Sequence, residues 1–188
     1  VMNIITKSQA PVGRFTIRTT AGIYDRPYYD SWEWTERTLH FNRTDVSYSQ
    51  QIGTVGVKAS LAKHESTGDR ANRHFQRWNA SGKLIWTPNS RSQVSLFGSF
   101  VSDRRGEFVW SRLDQPYLVD PEFEDFRVSQ DALSFYLKYQ QYLGERFELK
   151  ARASYIRQIS GNQFKVDGDF KPAEGAGDAR HRRSTVAV

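Results

Sequence analysis

Residues 133–155 read LSFYLKYQQYLGERFELKARASY, and the alternation of apolar and polar side chains within them decides the fold. In 133–143 the odd positions begin Leu133, Phe135, Leu137, Tyr139 and the even ones Ser134, Tyr136, Lys138, Gln140. From 147 the odd positions are Phe147, Leu149, Ala151, Ala153 and Tyr155, separated by Glu148, Lys150, Arg152 and Ser154. A period of two sorts side chains onto opposite sides of an extended chain, so each half is a two-faced β-strand. Because the apolar set is odd in both strands, directly opposed partners must sum to an even number. The turn at 143–146 therefore needs a three- or five-residue loop, with Gly in the left-handed position. Leu137 then faces Ala151 or Ala153.

The same grammar recurs outward from this hairpin. Val55, Val57, Ala59 and Leu61 share a face, as do Trp78, Ala80, Leu84 and Trp86, and Val94, Leu96, Gly98 and Phe100. Phe15, Ile17, Thr19, Ala21 and Ile23 form another set, and 38–50 a weaker one ending in Val46 and Tyr48. Helical periodicity is nearly absent, which gives about seven strands and no helix. The links between them alternate in length. Short turns fall at 51–54, 88–92 and 143–146, and long polar links at 25–37, 65–74, 103–130 and after 157. A soluble sandwich has no reason to alternate so strictly. An antiparallel up-and-down transmembrane β-barrel does, with short turns at one rim and long loops at the other. Trp78 and Trp86, eight positions apart on one face, span roughly 26 Å at about 3.3 Å per residue. Tilted by about 40°, they stand about 20 Å apart vertically, close to the apolar band between two aromatic girdles.

Composition agrees. The 188 residues are 38% hydrophobic and 14% aromatic, without a run of apolar residues long enough for a helical span. There is no Cys, which excludes disulfides, thiolate metal sites and cysteine nucleophiles. Lys and Arg (27) outnumber Asp and Glu (21), giving a net charge of +6. Both ends read as cut from a longer protein.

The opening residues VMNIITK (1–7) resemble the closing strand of the plug domain in TonB-dependent outer-membrane receptors, where barrel strands follow at once. Here a short linker leads into the 15–23 strand. The resemblance implies a division into 1–13, the end of a plug and linker; 14–165, the N-terminal strands of a partial barrel; and 166–188, an external loop or disordered tail. It further implies a bacterial outer-membrane location, contact with outer-membrane lipid, and coupling to the periplasmic TonB protein through an N-terminal part not in this chain. Such a receptor captures and imports a scarce small-molecule solute, such as a ferric siderophore or other metal chelate, haem, cobalamin or an oligosaccharide. No bond is made or broken, so no enzyme is expected. The rival reading is a soluble secreted all-β module binding carbohydrate or another ligand.

Chemistry-bearing motifs are scarce. No glycine-rich dinucleotide, phosphate-loop or nucleophile-elbow pattern occurs. His40, His64, His74 and His181 have no metal-ligand spacing, and the acidic run Asp120, Glu122, Glu124, Asp125 lacks the glycine of a calcium loop. Neither metal nor cofactor is expected. Arg70, Arg73, Arg77, Arg104 and Arg105, interleaved with Phe75, Trp78 and Trp110, would suit a nucleic-acid surface. Lys58, Lys138, Lys150 and Arg152, however, fall on the polar strand face, where they guide anionic solutes in a lumen, so no nucleic acid is expected. The candidate ligand-binding residues are Tyr28, Tyr29, Trp32 and Trp34 in an aromatic link suited to a flat or chelate-like ligand. Arg104 and Arg105 join them, placed to grip carboxylates in two-pronged fashion. The aromatics would equally serve as an outer girdle, and the arginines as headgroup or solvent contacts.

Overall fold

A computed structural model describes residues 12–108, 115–119, 126–144, 146–163 and 181–187. The plug-like opening, Trp110 and the acidic run Asp120–Asp125 lie outside them. The described residues form eight strands: β1 (Arg14–Ile23), β2 (His40–Ile52), β3 (Val55–Ser66), β4 (Phe75–Asn89), β5 (Ser92–Gly106), β6 (Arg127–Leu143), β7 (Phe147–Gln163) and β8 (His181–Ala187). All lie in one antiparallel sheet in sequence order, each paired with its chain neighbours, and β1 does not meet β8. The fold is all-β and the sheet is open, as a partial barrel requires. A single 3-10 turn at Asp30–Trp32 is the only helical element among the described residues. The count exceeds the seven strands expected from sequence, because β8 pairs with β7 from Ser154↔Ala187 to Ser160↔His181. It falls within 166–188, expected to be loop or tail.

Every short connection lies at one end of the sheet. Ile52 faces Val55 across a two-residue turn, whose Gly53 supplies the positive φ (55°) that such a turn needs. Leu143 faces Phe147 across three residues, with Gly144 at φ 78°. The same register sets Leu137 opposite Ala153, one of the two pairings the alternation allows. Between β4 and β5 the register shifts between Trp86 and Asn89. Pro88 sits in that irregularity, where its missing N–H breaks no regular ladder bond.

Pairing carries the two faces across the whole sheet. One row runs Ile17–Val46–Leu61–Ala80–Phe100–Leu133; one residue along each strand, a second runs Thr16–Ser47–Ser60–Ser81–Ser99–Ser134. The first belongs to an apolar face, the second to a polar one. Two pairs in the hydroxyl row bond directly, Ser60–Ser81 and Ser99–Ser134, each at 2.7 Å. The apolar face is uncovered: Leu84, Leu96, Phe135 and Leu137 are each 45% exposed, and Trp78 and Trp86 stand on it at 38% and 50%. Among the described residues the only buried apolar side chains are Ala71 and Val119, both in the long links. Among the described residues no second layer packs against the sheet.

Strands run further toward the long links than alternation suggests. Lys63, Glu65, Gln76, Arg104 and Asp131 continue the apolar face, so that face turns polar at this end. There it carries the Lys63–Glu65 and Arg104–Asp131 ion pairs, at 2.5 and 2.7 Å.

Candidate ligand site at the long-loop end

The links 24–39, 67–74 and 107–126 all leave the same end of the sheet, and their backbones are tied together. Tyr24 N–H bonds Leu39 O (2.9 Å), closing the first link. Ala71 N–H bonds Tyr117 O (2.9 Å), and Gly106 N–H bonds His74 O (2.9 Å). The Asn72 amide donates to both Glu107 O (3.0 Å) and Phe126 O (2.9 Å). Asn72 itself adopts φ 53°, a left-handed conformation that Asn tolerates better than most residues. His74 is packed against Gly106 and lies near Arg127; desolvation first and that charge second hold its imidazole below the usual histidine range.

The aromatic link joins this assembly. Tyr28 and Tyr29 meet edge-on at 4.8 Å, Tyr29 meets Trp32 edge-on at 4.5 Å, and Trp32 reaches Tyr117 at 6.0 Å. Gln115 Nε2 bonds Ser31 O at 2.6 Å. The rings run from solvent, where Tyr28 is 87% exposed, to Arg70, whose guanidinium lies 5.2 Å from the Tyr117 ring and 5.4 Å from Phe108. Trp34 is half-buried, its indole N–H enclosed without a partner.

Below the links a cavity of about 820 Å³ opens against the polar face, with Tyr24, Phe75, Phe108, Arg70, Arg73, Arg77, Arg105 and Asp103 among its walls. Arg77 donates to Asp103 Oδ2 at 2.7 Å, Arg105 lies 4.0 Å from the same oxygen and 3.6 Å from Glu107, and Arg73 lies 3.3 Å from Asp69. Each guanidinium carries five donors, more than these carboxylate contacts use.

The sequence candidates divide. Arg105 enters the cavity wall. Arg104, its neighbour on the strand, points to the opposite face and forms a two-pronged pair with Asp131 at 2.9 and 2.7 Å. The same parity separates Trp78 and Arg104 from Phe75, Arg77 and Arg105, so the residues considered for nucleic acid do not form one surface. Tyr28, Tyr29 and Trp32 cluster above the cavity. Asp103 and the grouping of Arg70, Arg73 and Arg77 around it were not singled out from sequence as a ligand site. Among the described residues no three His, Asp or Glu side chains converge as metal ligands.

A second, smaller cavity of about 500 Å³ lies toward the short turns, walled by Lys83, Lys138, Arg152 and Tyr136. Tyr136 stacks on Phe97 at 4.9 Å. Lys58, Lys138, Lys150 and Arg152 all stand on the polar face, as alternation requires, and Lys150 pairs with Glu148 at 2.6 Å.

Comparisons with protein families, curated protein sequences and solved structures find no match for this chain.

Proposed function

We propose that this chain forms part of the barrel wall of a TonB-dependent outer-membrane receptor, which captures a scarce solute at its outer mouth and imports it. The observation that carries the reading is the single-layer sheet with a continuous uncovered apolar face. A soluble protein of this size buries such a face against a second layer, and a contiguous exposed apolar surface marks contact with membrane or protein. Hydrocarbon covers it without further protein. The open edges of β1 and β8 fit the same reading, because backbone groups in lipid must all be paired and further strands would satisfy them. On this view the polar face lines the lumen, the short turns lie in the periplasm, and the arginine-walled cavity faces the medium. The plug-like opening supports the family assignment and the link to TonB, with energy drawn from the inner-membrane proton gradient. The solute belongs to the class of ferric siderophores, haem, cobalamin and oligosaccharides, and no covalent chemistry is involved.

The test is membrane fractionation of the intact protein, with heat-modifiable electrophoretic migration. An outer-membrane, detergent-dependent, heat-modifiable species is expected; a freely soluble monomer indifferent to detergent overturns the reading. Replacing both Tyr29 and Trp32 by Ala should weaken solute binding by about thirtyfold, the loss of roughly 2 kcal/mol typical of a hot spot. Barrel assembly should survive. Unchanged binding and uptake would make these aromatics girdle rather than site.

A further inference from the structure

Asp103 is the most deeply buried acid in the loop-end cavity, its side chain 8% exposed. Its Oδ2 is taken by Arg77 at 2.7 Å. Its Oδ1 is buried and has no hydrogen-bond partner. In the same cavity wall, Arg70 Nε is likewise enclosed without one, lying 3.7 Å from Asp69, beyond hydrogen-bond reach. An orphaned acceptor and an orphaned donor on two residues that wall one cavity ask for a ligand offering both complements.

We infer that this cavity takes a hydroxylated carboxylic acid, whose carboxylate meets the arginines and whose hydroxyl donates to Asp103 Oδ1. The inference rests on the reading that the loop end captures solute. Each simpler ligand leaves something unanswered. A plain anion satisfies the guanidinium groups but repels the Asp103 carboxylate and leaves Oδ1 without a donor. A cation meets four arginines, and the three acids of the wall, Asp69, Asp103 and Glu107, are each already paired with one of them. A neutral polyol supplies the hydroxyl but no charge for the Arg70 side of the cavity. An ammonium at Oδ1 would sit beside the Arg77 guanidinium, already on the other oxygen of the same carboxylate; a hydroxyl donates there without that repulsion. The Phe75 and Phe108 rings offer apolar surface to the carbon skeleton. The volume, about 820 Å³, lies in the range of small-molecule sites and exceeds one six-carbon acid. Two sources share this chemistry: an acidic saccharide and a metal-chelating hydroxycarboxylate.

The test is calorimetric titration of the intact protein in detergent with three probes of one chain length. Gluconate carries acid and hydroxyls, sorbitol hydroxyls alone, and hexanoate acid alone. Gluconate should bind about tenfold more tightly than either of the others, the discrimination expected when a buried polar group is satisfied or left unpaired. Asp103→Asn should erase most of the preference for gluconate over hexanoate, while Arg70→Gln should weaken both acids together. Digalacturonate binding above citrate points to the saccharide source, and the reverse to the chelator; either supports the inference. Equal affinity for gluconate and hexanoate in the unmodified protein overturns it, whatever the variants do. So does the absence of gluconate binding. A heat-modifiable barrel that ignores gluconate removes this ligand class and leaves the receptor reading standing. A soluble protein that prefers gluconate does the opposite.

Discussion

Two rows of side chains one residue apart define this sheet. Ile17, Val46, Leu61, Ala80, Phe100 and Leu133 lie on one face; Thr16, Ser47, Ser60, Ser81, Ser99 and Ser134 lie directly behind them on the other. No stretch of backbone separates the two environments, only the pleat. The apolar row carries branched and aromatic groups and, among the described residues, has nothing packed on it, whereas the hydroxyl row is short and bonds to itself in two pairs. The distinction between faces is therefore held entirely by register, and a slip of one residue exchanges them.

The largest effect should come from breaking that register. Removing Ala151 from the middle of β7 leaves the Leu143–Phe147 turn intact but turns Arg152 and Ser154 to the apolar side and Ala153 and Tyr155 to the polar one. No heat-modifiable barrel should form from the intact protein carrying this deletion; native migration and protease resistance would refute the assignment of faces. Next in size, Leu137→Arg places a charge on the uncovered face and should cost about 2–4 kcal/mol near the bilayer midplane. Lys150→Gln, on the polar face and exposed, should cost far less. Urea unfolding in lipid vesicles measures both, and equal losses would abolish the contrast. Smaller again, Ser60→Ala removes one hydroxyl pair and should cost about 0.5–1.5 kcal/mol by the same method. A loss as large as that of Leu137→Arg would mean that the hydroxyl row is not a water-facing surface.

The smallest effect concerns His74, above the apolar band. Its folded-state pKa is lowered by burial and by Arg127, so the folded protein binds the proton less readily than the unfolded chain. Above the unfolded value of about 6.5 both states are neutral and nothing is lost. As pH falls from there toward the lower folded value, the unfolded state gains protons first and stability declines. Thermal unfolding at pH 7.5 and pH 5.5 should show a shallow decline that His74→Gln reduces. An identical decline in the variant would assign the acid sensitivity to other groups.

How much of this was legible in sequence depended on whether one face stayed apolar. Through 133–139 and again through 147–155 the odd positions are hydrophobic without interruption, and the strands, their turn and the Leu137 pairing follow. Toward the long links Lys63, Glu65, Arg104 and Asp131 occupy the formerly apolar face, so hydrophobic alternation stops while hydrogen-bond pairing continues. The ends of β3 and β5 and the start of β6 were therefore hidden inside apparent links. β8 was hidden in the same way: HRRSTVA (181–187) has no sustained apolar alternation. The exposed aromatics announced themselves by density, but the opposite directions of Arg104 and Arg105 follow only once β5 is known to reach Gly106. The Arg77–Asp103 pair lay further out of reach. Counting back from Asn89↔Ser92 without the irregularity would set Arg77 opposite Arg104; the shift near Pro88 brings Asp103 there instead.

Strand order that never departs from chain order also bears on how the molecule assembles. Each strand needs only its immediate predecessor as a template, so no partner must wait for a distant segment to be synthesised. The hairpins β2–β3, β4–β5 and β6–β7, closed by two or three residues, are the units expected to zip first, since tight hairpins form in about 1–10 μs. Joining them across the long links costs little more, because closure entropy grows only as the logarithm of length. The slow events are then the meetings of preformed hairpins at β1–β2, β3–β4, β5–β6 and β7–β8, each burying a pair of edges that would otherwise invite aggregation. Lengthening a long link should barely delay folding, whereas stiffening a short turn in the wrong geometry should stall the whole sequence at a single hairpin.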